Sequence, residues 1–195
     1  STHAPRSIKN ELDEFKLINP CLFSDVGDTA SDMADTKKVL FICTGNTCRS
    51  PMAEGLFRKT VSERSDIEVL GSAGVAAYDG DKISHDTAVV LKANDASLAD
   101  FASRAVTAEM LENATHVFAM TNSHLHTLVN AFPDHAEKCY LVCDFIEFNG
   151  KVGVDVPDPI GQGPRAYNMV AQVLNHALPT LVQFMDEEAD ETSAE

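Results

Sequence analysis

No apolar run in the chain approaches the ~20 residues that a membrane-spanning helix needs, and no charged-then-apolar leader opens it. Neither a membrane span nor a secretory signal is expected. Basic residues are scarce: 15 Lys and Arg stand against 30 Asp and Glu, a formal net charge of −15 over 195 residues. So acidic a surface repels phosphate backbones and anionic headgroups, so no nucleic acid and no membrane surface is expected as a partner. Cysteines are few and odd in number, at Cys21, Cys43, Cys48, Cys139 and Cys143. An odd set in a chain this long argues against a disulfide scaffold and for a reducing, cytoplasmic setting. No Cys and His cluster has zinc spacing, and His124 and His126 lie two apart on an expected helix, facing different directions. No metal and no cofactor is expected. There is no internal repeat at a fixed period.

What is present is enough for one core: 44% of the residues are hydrophobic, in a length suited to a single domain. Residues 1–36 lack clean periodicity and read as an N-terminal extension or linker, with weak helical spacing around Asn10 to Leu17. The chain opens on Ser1 rather than Met, which suggests processing or a piece cut from a longer chain. The extension could tether the domain to another enzyme. Residues 187–195 are mostly acidic and small and read as a solvated tail. The domain proper is expected over 37–186.

There, strand and helix patterns alternate. Lys38 to Cys43 is short, β-rich and apolar on both faces, as a buried parallel strand is. Pro51 stands in the first turn of the helix that follows, with Ala53, Leu56, Phe57 and Val61 at helical spacing. Further strands fit Ile67 to Ser72, His116 to Met120 and Cys139 to Cys143. Ser84, Thr107 and Thr121 stand where helices begin. Tyr167 to Phe184 is a long amphipathic helix that Pro179 is expected to kink or interrupt. The alternation indicates a parallel sheet covered on both sides.

Between the first strand and its helix lies Cys43-Thr44-Gly45-Asn46-Thr47-Cys48-Arg49-Ser50. A cysteine, five residues and an arginine at such a junction form a tight loop whose amides can point inward as an anion nest. The helix adds its N-terminal partial positive charge. Gly45 is expected to take a backbone angle closed to other residues, and Asn46 tolerates a left-handed one. Arg49 offers a planar fork matched to two phosphate oxygens. Four sources of positive potential around one sulfur favour a nucleophilic thiolate.

Val39 to Glu54, with Gly71 to Val75, Val117 to Met120 and Val156 to Pro159, resembles the low-molecular-weight protein-phosphatase family, in that family's order from about Lys38 to Phe184. The resemblance implies a three-layer αβα fold, flavodoxin-like (phosphotyrosine protein phosphatase I-like), on a four-stranded parallel sheet. It implies catalysis by Cys43, Arg49 and Asp158, through a phosphocysteine intermediate. Asp158 in the Asp-Pro pair is the general acid, with Asp155 as the nearest competitor. Thr44, Gly45, Asn46, Thr47, Cys48 and Ser50 line the phosphate. Ser50 can donate to the Cys43 sulfur, and Ser72 matches a serine that braces the loop through Asn46. A histidine that commonly joins this brace is replaced by Phe101. Cys48 is either a trap for oxidised Cys43 or a small loop filler, and Cys139 and Cys143 read as core thiols.

The implied partner is a phosphorylated protein. Relatives acting on phosphoarginine tend to carry threonine at the position of Thr47, and those acting on phosphotyrosine a larger apolar residue. Ile160 stands where an aromatic is common, and Tyr78 aligns with a position that is aromatic in tyrosine-directed relatives. The expected substrate is phosphoarginine, with phosphotyrosine on the same scaffold as the alternative. Thiol-coupled arsenate reduction, a minor alternative, needs a downstream redox cysteine pair that is missing after Met120. A phosphopeptide-binding module without turnover would not need the Cys43, Arg49 and Asp158 set.

Overall fold

The computed structural model describes residues 36–148 and 151–193. The expected extension, its suggested helix at 10–17 and Cys21 lie, but for Thr36, outside the described residues. Strand β1 (Lys37–Cys43) is central. Strand β2 (Ile67–Gly74) pairs on one side and β3 (His116–Ala119) on the other, with β4 (Cys139–Leu141) beyond β3. The order is β2-β1-β3-β4 and every pairing is parallel.

Alternation along β1 builds two cores. Val39, Phe41 and Cys43 face one layer, which holds α1 (Arg49–Thr60), α2 (His85–Ala93) and α5 (Pro164–Ser193). Leu40 and Ile42 face the other, which holds α3 (Ala108–Asn113) and α4 (Asn122–Ala131). Val39 to Ile42 are at most 1% exposed, and full burial of each such side chain stabilises by roughly 1.5–3 kcal/mol. Phe41 meets Phe57 of α1 edge-on, with ring centroids 5.4 Å apart. The expected caps are in place: Ser84, Thr107 and Thr121 accept the N–H groups of Thr87, Met110 and His124, satisfying donors that a helix start leaves unpaired.

Several elements depart from expectation. Strand β4 closes at Leu141 rather than Cys143, because Asp144 turns the chain. The Asp144 carboxylate accepts from the Leu141 N–H and the Asp144 N–H donates to the Leu141 carbonyl. A 3₁₀ turn (Pro133–Lys138) and a hairpin of β5 (Glu147–Phe148) and β6 (Lys151–Val152) carry no periodic signal. Helix α5 is longer than expected. Pro179 does not interrupt it, and residues 187–193, expected as a solvated tail, continue it. Val170, Leu174, Leu178, Leu181 and Met185 form an apolar stripe on both sides of Pro179. That packing outweighs the ~3 kcal/mol of an interior proline. The acidic end is pinned by partners elsewhere in the fold: Asp186 pairs with Lys37 and Arg64, and Glu188 meets the His116 ring and the Tyr140 hydroxyl. Among the described residues no helix is long and apolar enough to cross a membrane.

Candidate active site

Strand β1 ends at Cys43 and α1 begins at Arg49, so the loop between them is held at both ends. Ser84 N–H donates to the Thr47 carbonyl, and the Thr44 carbonyl accepts from Ala76. Helix α1 has no side-chain cap and no acidic residue in its first turn. Its leading amides are therefore left for an anion.

The sulfur of Cys43, buried at the loop's floor, accepts from the Asn46 N–H at 3.3 Å and the Ser50 hydroxyl at 3.0 Å. Asn46 is fully buried at φ 53°. Its side-chain amide donates to Ser50 at 3.0 Å and to Ser72 at 2.9 Å. Its Oδ1 accepts the main-chain N–H of Arg104 at 3.0 Å. Ser72 in turn donates to Glu54, which is held by Arg58. Ser50 and Ser72 thus stand where expected. Gly45 does not: the left-handed angle belongs to Asn46, and Gly45 has no positive φ. The glycine the loop requires is Gly74, where a Cβ would sit 2.3 Å from the Thr44 carbonyl oxygen.

Arg49, 5% exposed, reaches out of the loop to Asp158, with Nη2 and Oδ2 3.1 Å apart, and to the Val156 carbonyl at 3.4 Å. Asp158 is fixed further by the Ile160 N–H on its other oxygen and by Gln162 on its carbonyl. Asp155, the competing carboxylate, is engaged elsewhere and accepts from the main-chain N–H and the side-chain amide of Asn122 at the start of α4. Thr44, Gly45 and Thr47 are at least partly exposed. Cys48 is buried, its sulfur 3.4 Å from the Tyr167 hydroxyl. Tyr78 and Ile160 are 81% and 62% exposed. Phe101 makes no bond to Asn46, whose acceptor is already taken by Arg104.

Glu54, Arg104 and His124 were not singled out by the sequence as site residues. Glu54 stands at the end of the family-like run. Nothing in the spacing marks Arg104. His124, three residues past the Thr121 cap, is buried between the hydroxyls of Thr121 (2.9 Å) and Thr44 (2.7 Å). Burial, and then the charge of Arg49, push its pKa down to about 4, so the ring is neutral near pH 7. Burial pushes the thiols of Cys139 and Cys143 up to about 11 and about 12, which suits core groups and not a redox relay. Among the described residues no three His, Cys, Asp or Glu side chains cluster as metal ligands.

A cysteine on a strand-to-helix anion loop, with an arginine that turns back to an opposing carboxylate, is the equipment of a cysteine-dependent protein phosphatase. Residues 38–191 match the family model of low molecular weight phosphotyrosine protein phosphatase, and the chain belongs to that family. It is 34% identical over 151 residues to a protein-arginine-phosphatase of Geobacillus stearothermophilus, covering 77% of this chain and 97% of that one. It also resembles the solved structure of the YwlE arginine phosphatase from Geobacillus stearothermophilus, with a TM-score of 0.70 over 80% of this chain and 96% of that one, at 34% identity. A low molecular weight protein tyrosine phosphatase from T. tengcongensis aligns at 36% identity with a TM-score of 0.68, over 75% of this chain and 98% of that one.

Proposed function

We propose that this phosphatase hydrolyses phosphoarginine in proteins through a phosphocysteine intermediate. The Cys43 thiolate attacks phosphorus in line with the leaving nitrogen, forming the S–P bond as the P–N bond breaks. The loop amides and Arg49 hold the charge on the equatorial oxygens. Asp158 gives its proton to the departing guanidino nitrogen. It then takes one from the water that attacks phosphocysteine, which releases inorganic phosphate and the Cys43 thiolate. Ser50 eases that departure by donating to the sulfur. The observation that carries this reading is the Arg49–Asp158 contact of 3.1 Å, which supports Asp158 as the acid that works across the loop from Cys43.

For the substrate, the support is Thr47 and the likeness to arginine phosphatases. A hydroxyl at this part-exposed position can accept from a guanidinium or orient the attacking water, and its small bulk leaves room. Asp79 and Asp81, near Tyr78, add negative charge that suits a cationic side chain. The exposed ring of Tyr78 favours a second reading, phosphotyrosine hydrolysis, since it offers a face for stacking. Should peroxide convert Cys43 to a sulfenic acid, Cys48 can close a disulfide with loss of water, and a thiol reductant would reopen it.

The test is a paired comparison. Wild type is expected to cleave a phosphoarginine peptide faster than a matched phosphotyrosine peptide, and Thr47→Ile is expected to reverse the order. Equal preference in both proteins refutes the role of Thr47. Turnover of a small aryl phosphate, absent in Cys43→Ser, separates an enzyme from a phosphopeptide-binding module.

A further inference from the structure

Strand β2 does not pair evenly with β1. Val39 pairs with Val69 but Leu40 pairs with Gly71, so Leu70 is the extra residue of a β-bulge. The guanidinium of Arg104 closes over this irregularity. Its Nη2 donates to the Leu70 carbonyl at 3.0 Å and its Nε to the Ser72 carbonyl at 2.9 Å. Gly71 leaves the room: at φ +124°, a Cβ there would lie 2.6 Å from Arg104 Nη2. The main chain of Arg104 reaches the other way. Its N–H donates to Asn46 Oδ1, and its carbonyl accepts from Gly74 N–H at 3.0 Å.

We propose that Arg104 is a positioning residue for the nucleophile. By clamping the carbonyls on either side of Gly71 it fixes Ser72 and its own N–H, and these two orient Asn46, Ser50 and the Cys43 sulfur. Because a strand alternates its faces, any easing of the bulge toward even pairing would turn Ser72 away from Asn46. Asn46 would then lose a partner inside a fully buried site, where an unpaired amide is strongly disfavoured. The Ser50 hydroxyl, no longer held by Asn46, would stop pointing at sulfur. The inference rests on the reading of Cys43 as the attacking atom.

Arg104 is part-exposed and lines a pocket of about 250 Å³ with Glu54, Leu98 and Phe101. A guanidinium ion added to solution can therefore reach the place of a deleted side chain. The experiment compares wild type, Arg104→Ala and Arg104→Gln in aryl-phosphate turnover, in the pH dependence of Cys43 alkylation by iodoacetate, and in melting temperature. Arg104→Ala is expected to lower kcat about tenfold or more with KM within about twofold. The alkylation midpoint is expected to rise by about one pH unit, because the thiolate loses a donor. Arg104→Gln, which keeps one donor, should fall between. Millimolar guanidinium chloride, and not sodium chloride at equal strength, should restore part of the Arg104→Ala rate. Wild-type kcat and alkylation midpoint in Arg104→Ala overturn the inference whatever its melting temperature. If that variant fails to fold, the same result in Arg104→Gln overturns it. Absence of turnover in wild type removes instead the reading of the site itself.

Discussion

Asn46 uses its whole side-chain amide inside the brace, two donors and one acceptor, at a left-handed φ of 53°. Asparagine meets both demands, since it tolerates that angle and carries the three bonds. Replacement by alanine combines backbone strain of about 1 kcal/mol with unpaired buried partners at roughly 1–3 kcal/mol each. Glycine relieves the strain and not the pairing. Asn46→Gly is therefore expected to melt higher than Asn46→Ala while losing as much activity. Equal melting points would show that the angle carries no strain. His124 is a second residue whose surroundings set its state. Its folded pKa of about 4 lies below the usual 6.5. Between those values the unfolded chain binds a proton that the native protein does not. Stability from the neutral ring is complete above pH 6.5 and is lost as pH falls toward 4, by on the order of 3 kcal/mol. Melting curves at pH 4.5 and 7 should differ less in His124→Gln than in wild type, and an unchanged difference would assign the acid sensitivity to other groups.

Helix α5 carries the clearest test at the scale of an element. Pro179 lies on its exposed face, and the carbonyl that loses its partner belongs to Asn175, also exposed. Water can serve that carbonyl, but the ring still crowds the preceding turn. Pro179→Ala is expected to raise stability by about 1–3 kcal/mol in urea unfolding, with no change in turnover; destabilisation would show that the ring is fitted to its surroundings. The same helix marks where sequence reading stopped. Periodicity located its apolar stripe and the four parallel strands, because burial repeats at fixed intervals. It could not find the ion pairs of Asp186 or the contacts of Glu188, whose partners lie far away in sequence, so the acidic end read as a tail. In the site, Cys43, Asn46, Arg49 and Ser50 were legible because one loop holds them. Asp158 and Ser72 came from resemblance alone, and the geometry puts both in contact with that loop. Arg104 was illegible, since its role depends on a bulge that no residue type announces.

At the scale of the molecule, a chain with a formal net charge of −15 carries a site built to receive an anion. The field outside therefore opposes the phosphate that the loop attracts, and long-range attraction must come from positive charge elsewhere on the substrate. Phosphopeptides flanked by lysine are expected to show KM rising as sodium chloride goes from about 0.05 to 0.5 M, and those flanked by glutamate KM falling, as the Debye length shrinks from over 10 Å to a few Å. A flat response in both would show that the surface charge does not reach the mouth.

The brace behind the loop has a consequence for how such a protein changes. Among the described residues no buried side-chain nitrogen or oxygen lacks a partner, and Asn46, Ser50 and Ser72 are each committed to more than one bond. A seat so fully wired from behind has little freedom to reshape itself around a substrate. The proposed function leaves discrimination to side chains outside that brace, such as Thr47, Tyr78 and Ile160. On the proposed reading, exchange of these side chains moves the protein from one phosphoryl substrate to another while the brace behind the loop stays as it is.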